Sequence, residues 1–320
     1  RKTLPPPARD GVIINCGTSY KVTIVGTNSY TTGTLAINDT QDEVVGTGTT
    51  FTAGMVGRYI MLSGLWYEIT VFTDTTHMDI SPAYSGANLS GYGVVIADVN
   101  FAATLSKVTI TNGTTGLKVQ YAQEYFIDDV IIYDCTTGAD IDDTVFGRHL
   151  MSAVECGVNF TANNMWGFKI DFSEFSNATT GAGCVMTNSG SGTFFDSAGY
   201  DNFGNFLSLT SCENIAFISV ANGGNGGAGV ECISGCNDLQ FFAFTCDGNT
   251  GDGIKFTATS DRNTISSCSV LNNGGWGINI ANANCDNNVL IGVIASGNSS
   301  GSLTDSGTGT LKSATVNIIP

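Results

Sequence analysis

The sequence predicts an all-β fold, a right-handed parallel β-helix of about 24 residues per coil with a small N-terminal β module. Three observations lead there. Four stretches align almost without gaps: Asn225-Gly226-Gly227-Ala228-Gly229-Val230, Asn249-Thr250-Gly251-Asp252-Gly253-Ile254, Asn273-Gly274-Gly275-Trp276-Gly277-Ile278 and Asn298-Ser299-Ser300-Gly301-Ser302-Leu303. Their asparagines lie 24, 24 and 25 residues apart, and a fixed period of that size marks a stacked structural unit. Apolar positions around each asparagine are β-branched or aromatic, with Gly, Asn and Thr between them, which disfavours helix. The composition has 41 glycines, five prolines and only 12% charged residues, against an ordinary share of about a quarter.

Within each unit, Val220, Phe244, Cys268 and Val293 occupy one position before the asparagine. Ile218, Phe242, Ser266 and Ile291 stand two residues earlier, where strand alternation places them on the same face. Val230, Ile254, Ile278 and Leu303 open the strand after the bend. The asparagine amides are expected to bond to one another along the stack, satisfying groups that the core would otherwise strand.

Taken in order, residues 1–9, basic and carrying Pro5-Pro6-Pro7, read as an extended linker. Residues 10–39 read as capping strands or a first coil, because an open solenoid end needs cover. From about Thr40 to Ile96 the period vanishes, and residues 40–96 form the small β module. Residues 97–320 are the β-helix, nine or ten coils and about 45 Å long at one strand spacing per coil. Such a rod carries something or reaches for it.

The module has the order Gly46-Thr47-Gly48-Thr49-Thr50-Phe51, Val56-Gly57-Arg58-Tyr59-Ile60, Trp66-Tyr67-Glu68-Ile69 and Ser81-Pro82-Ala83-Tyr84-Ser85-Gly86. This order resembles a small β module of phage tail-associated proteins, and the Asn-x-Gly-x-Gly-Ile coils resemble the pectate-lyase-like β-helix superfamily. Together, over residues 40–320, the chain is similar to phage tailspikes and tail fibres. The resemblance implies a virion structural and host-attachment appendage. It would be made in the host cytoplasm, exposed on the particle, homotrimeric, joined to other virion tail or capsid proteins and bound to host surface polysaccharide. A polysaccharide depolymerase, hydrolase or lyase, is the alternative, and a bacterial cell-surface adhesin a further one.

No familiar catalytic set is present: Gly-His-Gly and Arg-Ile-Lys motifs are absent, and Lys169, Lys255, Arg148 and Arg262 are scattered. Two carboxyl groups about 5–10 Å apart would serve glycoside hydrolysis. The densest acidic group holds Asp128, Asp129, Asp140, Asp142 and Asp143, of which Asp128, Asp129, Asp142 and Asp143 are the candidate catalytic residues of a depolymerase. Glu213 with Asp238, and Asp247 with Asp252, are lesser pairs. Solvated turn aspartates are the plainer reading, and a Ca²⁺ site around residues 140–143 is the third. Trp166, Tyr200 and Trp276 are candidate carbohydrate platforms, or else contacts to a neighbouring subunit.

The ten cysteines fall largely in core register and read as small buried thiols, consistent with folding in a reducing cytoplasm. Cys/His spacing offers no metal motif. A net charge of −16 disfavours nucleic acid and anionic membranes. No apolar run is long enough for membrane insertion.

Overall fold

Each coil turns because its strands are short and a single left-handed residue separates two of them. In the computed structural model, which describes residues 12–17 and 21–312, the coil containing Phe217 has strands Ala216–Ile218, Ala221–Gly223 and Val230–Ser234. Ser219, with φ of 55°, stands between the first two, and Ala243, Ser267 and Gly292 take the same conformation one, two and three coils on. The expected linker at 1–9 lies outside the described residues.

This corner corrects one expectation. Val220, Phe244, Cys268 and Val293 are buried as the pattern requires, but Phe242 is 51% and Ile291 46% exposed. A left-handed residue between the two positions resets the alternation, so the inward side chains before the corner are Phe217, Phe241, Ile265 and Leu290. Phe194, Phe217 and Phe241 stack with centroids 5.0 Å apart at each step. Each fully buried ring contributes about 2–3 kcal/mol through its removal from water.

Repetition of this coil, about nine turns of about 23 residues, generates two parallel sheets of 18 and 11 strands. The bend asparagines form the expected ladder: Asn202, Asn225, Asn249 and Asn273 each donate Nδ2 to the Oδ1 of the next, at 2.8, 2.7, 2.9 and 2.8 Å, ending on Asn298. All ten cysteines are buried and unpaired, several stacked against aromatic rows of the core.

Val12–Asn15 pairs in parallel with Val108–Thr111, and Val22–Val25 pairs with Leu117 to Gln120. These strands make the first coil. Thr27–Tyr30 and Thr34–Ile37, read in the sequence as part of the cap, instead belong to an eight-stranded antiparallel sheet that also holds Glu43–Thr47, Tyr59–Leu62, Leu65–Phe72, His77–Ser81, Leu89–Gly93 and Ile96–Asp98. That sheet therefore reaches from Thr27 to Asp98 and closes over Leu35, Val44, Phe51, Ile60, Ile69 and Met78. Immediately after it, Asn100–Phe101 pairs with Ala122 and Gln123, on the same strand that receives Val22–Val25. The module is thus inserted into one rung of the helix. Met61, Trp66 and Ala97 pack against Tyr121 and Val145 across the junction.

Among the described residues there is no α-helix, only a 3-10 turn at Ala53–Met55, and no helix long and apolar enough to cross a membrane.

Candidate functional site

The strands of the 11-stranded sheet pass, rung after rung, through another left-handed corner near or at their C-terminal ends. Tyr121, Asp143, Asn164, Asn188 and Ser211 occupy it with φ between 49° and 56°. Asn and Asp tolerate this region better than other residues bearing a Cβ. The corner swings their side chains off the sheet toward the inserted module, whose strand Leu89–Gly93 brings Tyr92 opposite. Between them lies a cleft of about 430 Å³. Tyr92 lines it from the module, and Asn163, Asn164, Trp166, Asn188, Ser211 and Glu213 line it from the helix.

Hydrogen bonds fix the helix-side wall. Asn164 Nδ2 donates to Asp143 Oδ1 at 2.7 Å, and Trp166 Nε1 donates to Asn164 Oδ1 at 2.8 Å. On the neighbouring outward column, Asp142 accepts from Gln120 Nε2 at 2.8 Å and from Asn163 Nδ2 at 2.9 Å, while Asn188 Nδ2 reaches Asn163 Oδ1 at 3.2 Å. Lys118 Nζ sits 2.9 Å from Asp140 and 3.6 Å from Asp142.

Two glycines create the seat for Trp166. A Cβ on Gly64 would lie 2.3 Å from Trp166 Cγ, and one on Gly190 would lie 2.7 Å from the far edge of the ring. Gly64 is also the second residue of a tight hairpin turn, with φ of 78° after Ser63 at 47°, a geometry that favours glycine. The module's turn and the helix therefore clasp the indole together.

Burial, reinforced by the charge of Asp142, pushes the Asp143 carboxyl up to about 6, against the opposing hydrogen bond from Asn164. Burial and then the Asp143 charge raise the Tyr92 phenol as well. Asp143 stands behind the cleft rather than in its lining, tied to it through Asn164, and the lining itself offers two aromatic rings, three amides, the Ser211 hydroxyl and the Glu213 carboxylate to a ligand.

The sequence candidates separate in space. Asp142 and Asp143 belong to this site, and Trp166 joins them. Asp128 and Asp129 lie on Phe126–Tyr133 in the 18-stranded sheet, so the four aspartates do not make one group. Tyr200, on Ala198–Tyr200, is 41% exposed on that same other sheet. Trp276 opens its strand several coils away, half-buried with its ring against Gly301.

Glu213 aligns with Asn237 rather than with Asp238, whose carboxylate is held by Arg262 at 2.7 and 2.9 Å. Asp252 accepts from the Trp276 backbone and from Asn279, and Asp247 from Asn272, as bend-holding residues do. Around 140–143 the carboxylates meet Lys118, Gln120, Thr161, Asn163 and Asn164. No cluster of three or more His, Cys, Asp or Glu suited to a metal ion occurs among the described residues.

Sequence reasoning missed Tyr92, Asn163, Asn164 and Asn188. The signal was present in Asp143, Asn164 and Asn188, polar residues 21 and 24 apart at one strand end.

No protein-family model matches the chain, and no curated protein matches it in sequence. Solved structures similar to it include the periplasmic alginate epimerase AlgG, with a TM-score of 0.57 at 12% identity over 67% of this chain and 61% of that one. The Geobacillus virus E2 protein ORF18 matches with a TM-score of 0.48 at 16% identity, over 66% of this chain and 51% of that one. Tailspike gp61 of Pseudomonas phage phi297 matches with a TM-score of 0.40 at 8% identity, over 88% and 66%. The chain thus spans about half of the virus protein's length and about three-fifths of the epimerase's. The epimerase likeness establishes a shared parallel β-helix.

Proposed function

We propose that this protein is a host-attachment appendage of a virion and that the cleft beside Trp166 is its glycan-binding site. One observation carries the binding assignment: two aromatic side chains, Trp166 and Tyr92, line with Asn163, Asn164 and Asn188 a concave site where the inserted module meets the rod. Aromatic faces receive the apolar faces of pyranose rings while amides meet their hydroxyls, and ligand sites favour junctions between structural units. The resemblance of the module and coils to tailspikes and fibres supplies the virion context.

Homotrimerisation is part of this reading. Phe195, Ile218, Phe242 and Ile291 share one outward column of the 18-stranded sheet, three of them well exposed, with Phe172 beside it. A largely apolar column, with Ser266 between Phe242 and Ile291, suits burial against an identical neighbour.

The test is binding of purified host-surface polysaccharide by wild type and Trp166→Ala, with attachment to cells measured alongside. Binding and attachment lost together in the variant support the assignment; attachment unchanged in Trp166→Ala overturns it.

The depolymerase reading has its own support in Asp143, whose raised carboxyl stands behind the cleft with Glu213 in its lining. Such a carboxyl suits a general acid. Release of new reducing ends that stops in Asp143→Asn would establish cleavage; intact polymer after prolonged incubation would leave a binding protein.

A further inference from the structure

We propose that the cleft selects its glycan by charge: it takes sugars without carboxylates, binds ammonium-bearing amino sugars most tightly and rejects uronates. This rests on the reading of the cleft as a saccharide site.

Two independent features lead to it. The first is charge. The cleft lining contains Glu213 and no lysine or arginine, and Asp143 lies directly behind it, with Asp142 on the adjoining column. Lys118, the cation whose charge acts on Asp143, is already shared between Asp140 and Asp142. Three other cations on the coils are likewise engaged: Lys255 by Glu231 at 2.8 Å, Arg262 by Asp238 at 2.7 Å, and Arg148 by Asp171 at 3.1 Å. A uronate entering here would meet carboxylates on two sides and no compensating charge, in a chain of net charge −16.

The second feature is hydrogen-bond polarity. The Nδ2 groups of Asn163, Asn164 and Asn188 are turned onto Asp142, Asp143 and Asn163, and the indole N–H of Trp166 is spent on Asn164. One N–H of each amide and the Trp166 N–H thus serve the wall, the Tyr92 and Ser211 hydroxyls can donate or accept, and Glu213 contributes only acceptors when ionised. At Glu213 the ligand group that fits is a donor, a hydroxyl or an ammonium, rather than another acceptor.

The experiment is calorimetric titration of the intact chain with three oligosaccharide series of equal length: glucosamine oligomers at a pH that keeps them protonated, their N-acetylated counterparts, and oligogalacturonates. Affinity is expected to fall in that order, with uronates weaker than neutral sugars by about tenfold or more, the scale of one unfavourable charge contact at a partly buried site. Glu213→Gln is expected to narrow the gap from the uronate side. Uronates binding as well as or better than the neutral series, with binding lost in Trp166→Ala, would overturn the selectivity while sustaining the saccharide site. Failure of all three series to bind would overturn the site itself. Ammonium sugars that bind equally to Trp166→Ala would show attraction to the anionic surface at large, and would overturn the proposal too.

Discussion

Asn164 donates a 2.7 Å hydrogen bond to the carboxylate of Asp143 from the next rung of the same left-handed corner. With Gln120 and the charge of Lys118 it opposes the upward push of burial on that acid, and it also receives the indole N–H of Trp166. Asn164→Ala is therefore expected to raise the Asp143 carboxyl above about 6 and to loosen the indole, weakening glycan binding about tenfold. NMR titration of the Asp143 carboxyl carbon and calorimetry check the two effects; an unchanged titration midpoint would disprove the coupling.

Asp143 also sets a pH dependence of stability. Its folded value, about 6, exceeds the ordinary 3.8, so the folded state binds the proton more tightly than the unfolded chain. The contribution is fully present below about 3.8 and is lost as pH rises through about 6. Asp143→Asn, neutral throughout, is expected to exceed wild type in stability by about 1–2 kcal/mol at pH 7.5, allowing for solvent screening, and to lose that advantage near pH 4. Urea unfolding at the two pH values measures it.

His149 works in the opposite direction. It is buried between Tyr125 and Phe160, with Nε2 3.0 Å from the Tyr125 hydroxyl and Nδ1 unpartnered. Burial drops it from 6.5 to about 3, so its contribution is present above 6.5 and is lost as pH falls toward 3. His149→Phe, which keeps the edge contacts and removes the orphan nitrogen, is expected to flatten the acid side of the stability profile. A wild-type profile and a variant profile with the same slope between pH 6 and 4 would exclude His149 as its cause.

The asparagine ladder is expected to be most sensitive at its centre. Asn249 accepts from Asn225 Nδ2 and donates to Asn273 and Asn222, all in the buried interior. Asn249→Ala strands several of these groups at once and is expected to cost about 3 kcal/mol or more, since each unsatisfied buried group costs about 1–3. Asn298→Ala, at the ladder's half-buried end, is expected to cost less. Chemical denaturation of both variants tests the ranking.

The repeat made the coil legible because stacking forces chemically similar residues into register: Asn225, Asn249, Asn273 and Asn298 announce their ladder, and the cysteines announce a core by sharing positions with Phe and Ile. The direction faced by Phe242 was not legible, since a left-handed Ala243 leaves no compositional mark and strand alternation was carried through it. The cleft was half legible. Asp142, Asp143 and Trp166 stand out by type, but Tyr92 reaches them only through a module inserted into one rung, a contact that no local pattern encodes. Nor could sequence separate Asp128 and Asp129 from Asp142 and Asp143, because strands 14 residues apart in one coil lie in different sheets.

The outward turn of Phe242 has a consequence for assembly. Phe195, Ile218, Phe242 and Ile291 align by register in one outward column, with Ser266 between the last two. A ring 51% exposed at the centre of that column gains from burial against another chain, whereas a carboxylate there would be stranded in an apolar contact. Phe242→Asp is expected to convert a trimer to monomer while leaving the circular dichroism and the cleft's sugar affinity intact, because Trp166 and Tyr92 lie on the other sheet and the module. Light scattering with size separation reads the mass. A wild-type chain that is monomeric at high concentration would remove the trimer from the proposal and leave the column to some other partner; a variant that stays trimeric would place the interface elsewhere on the rod.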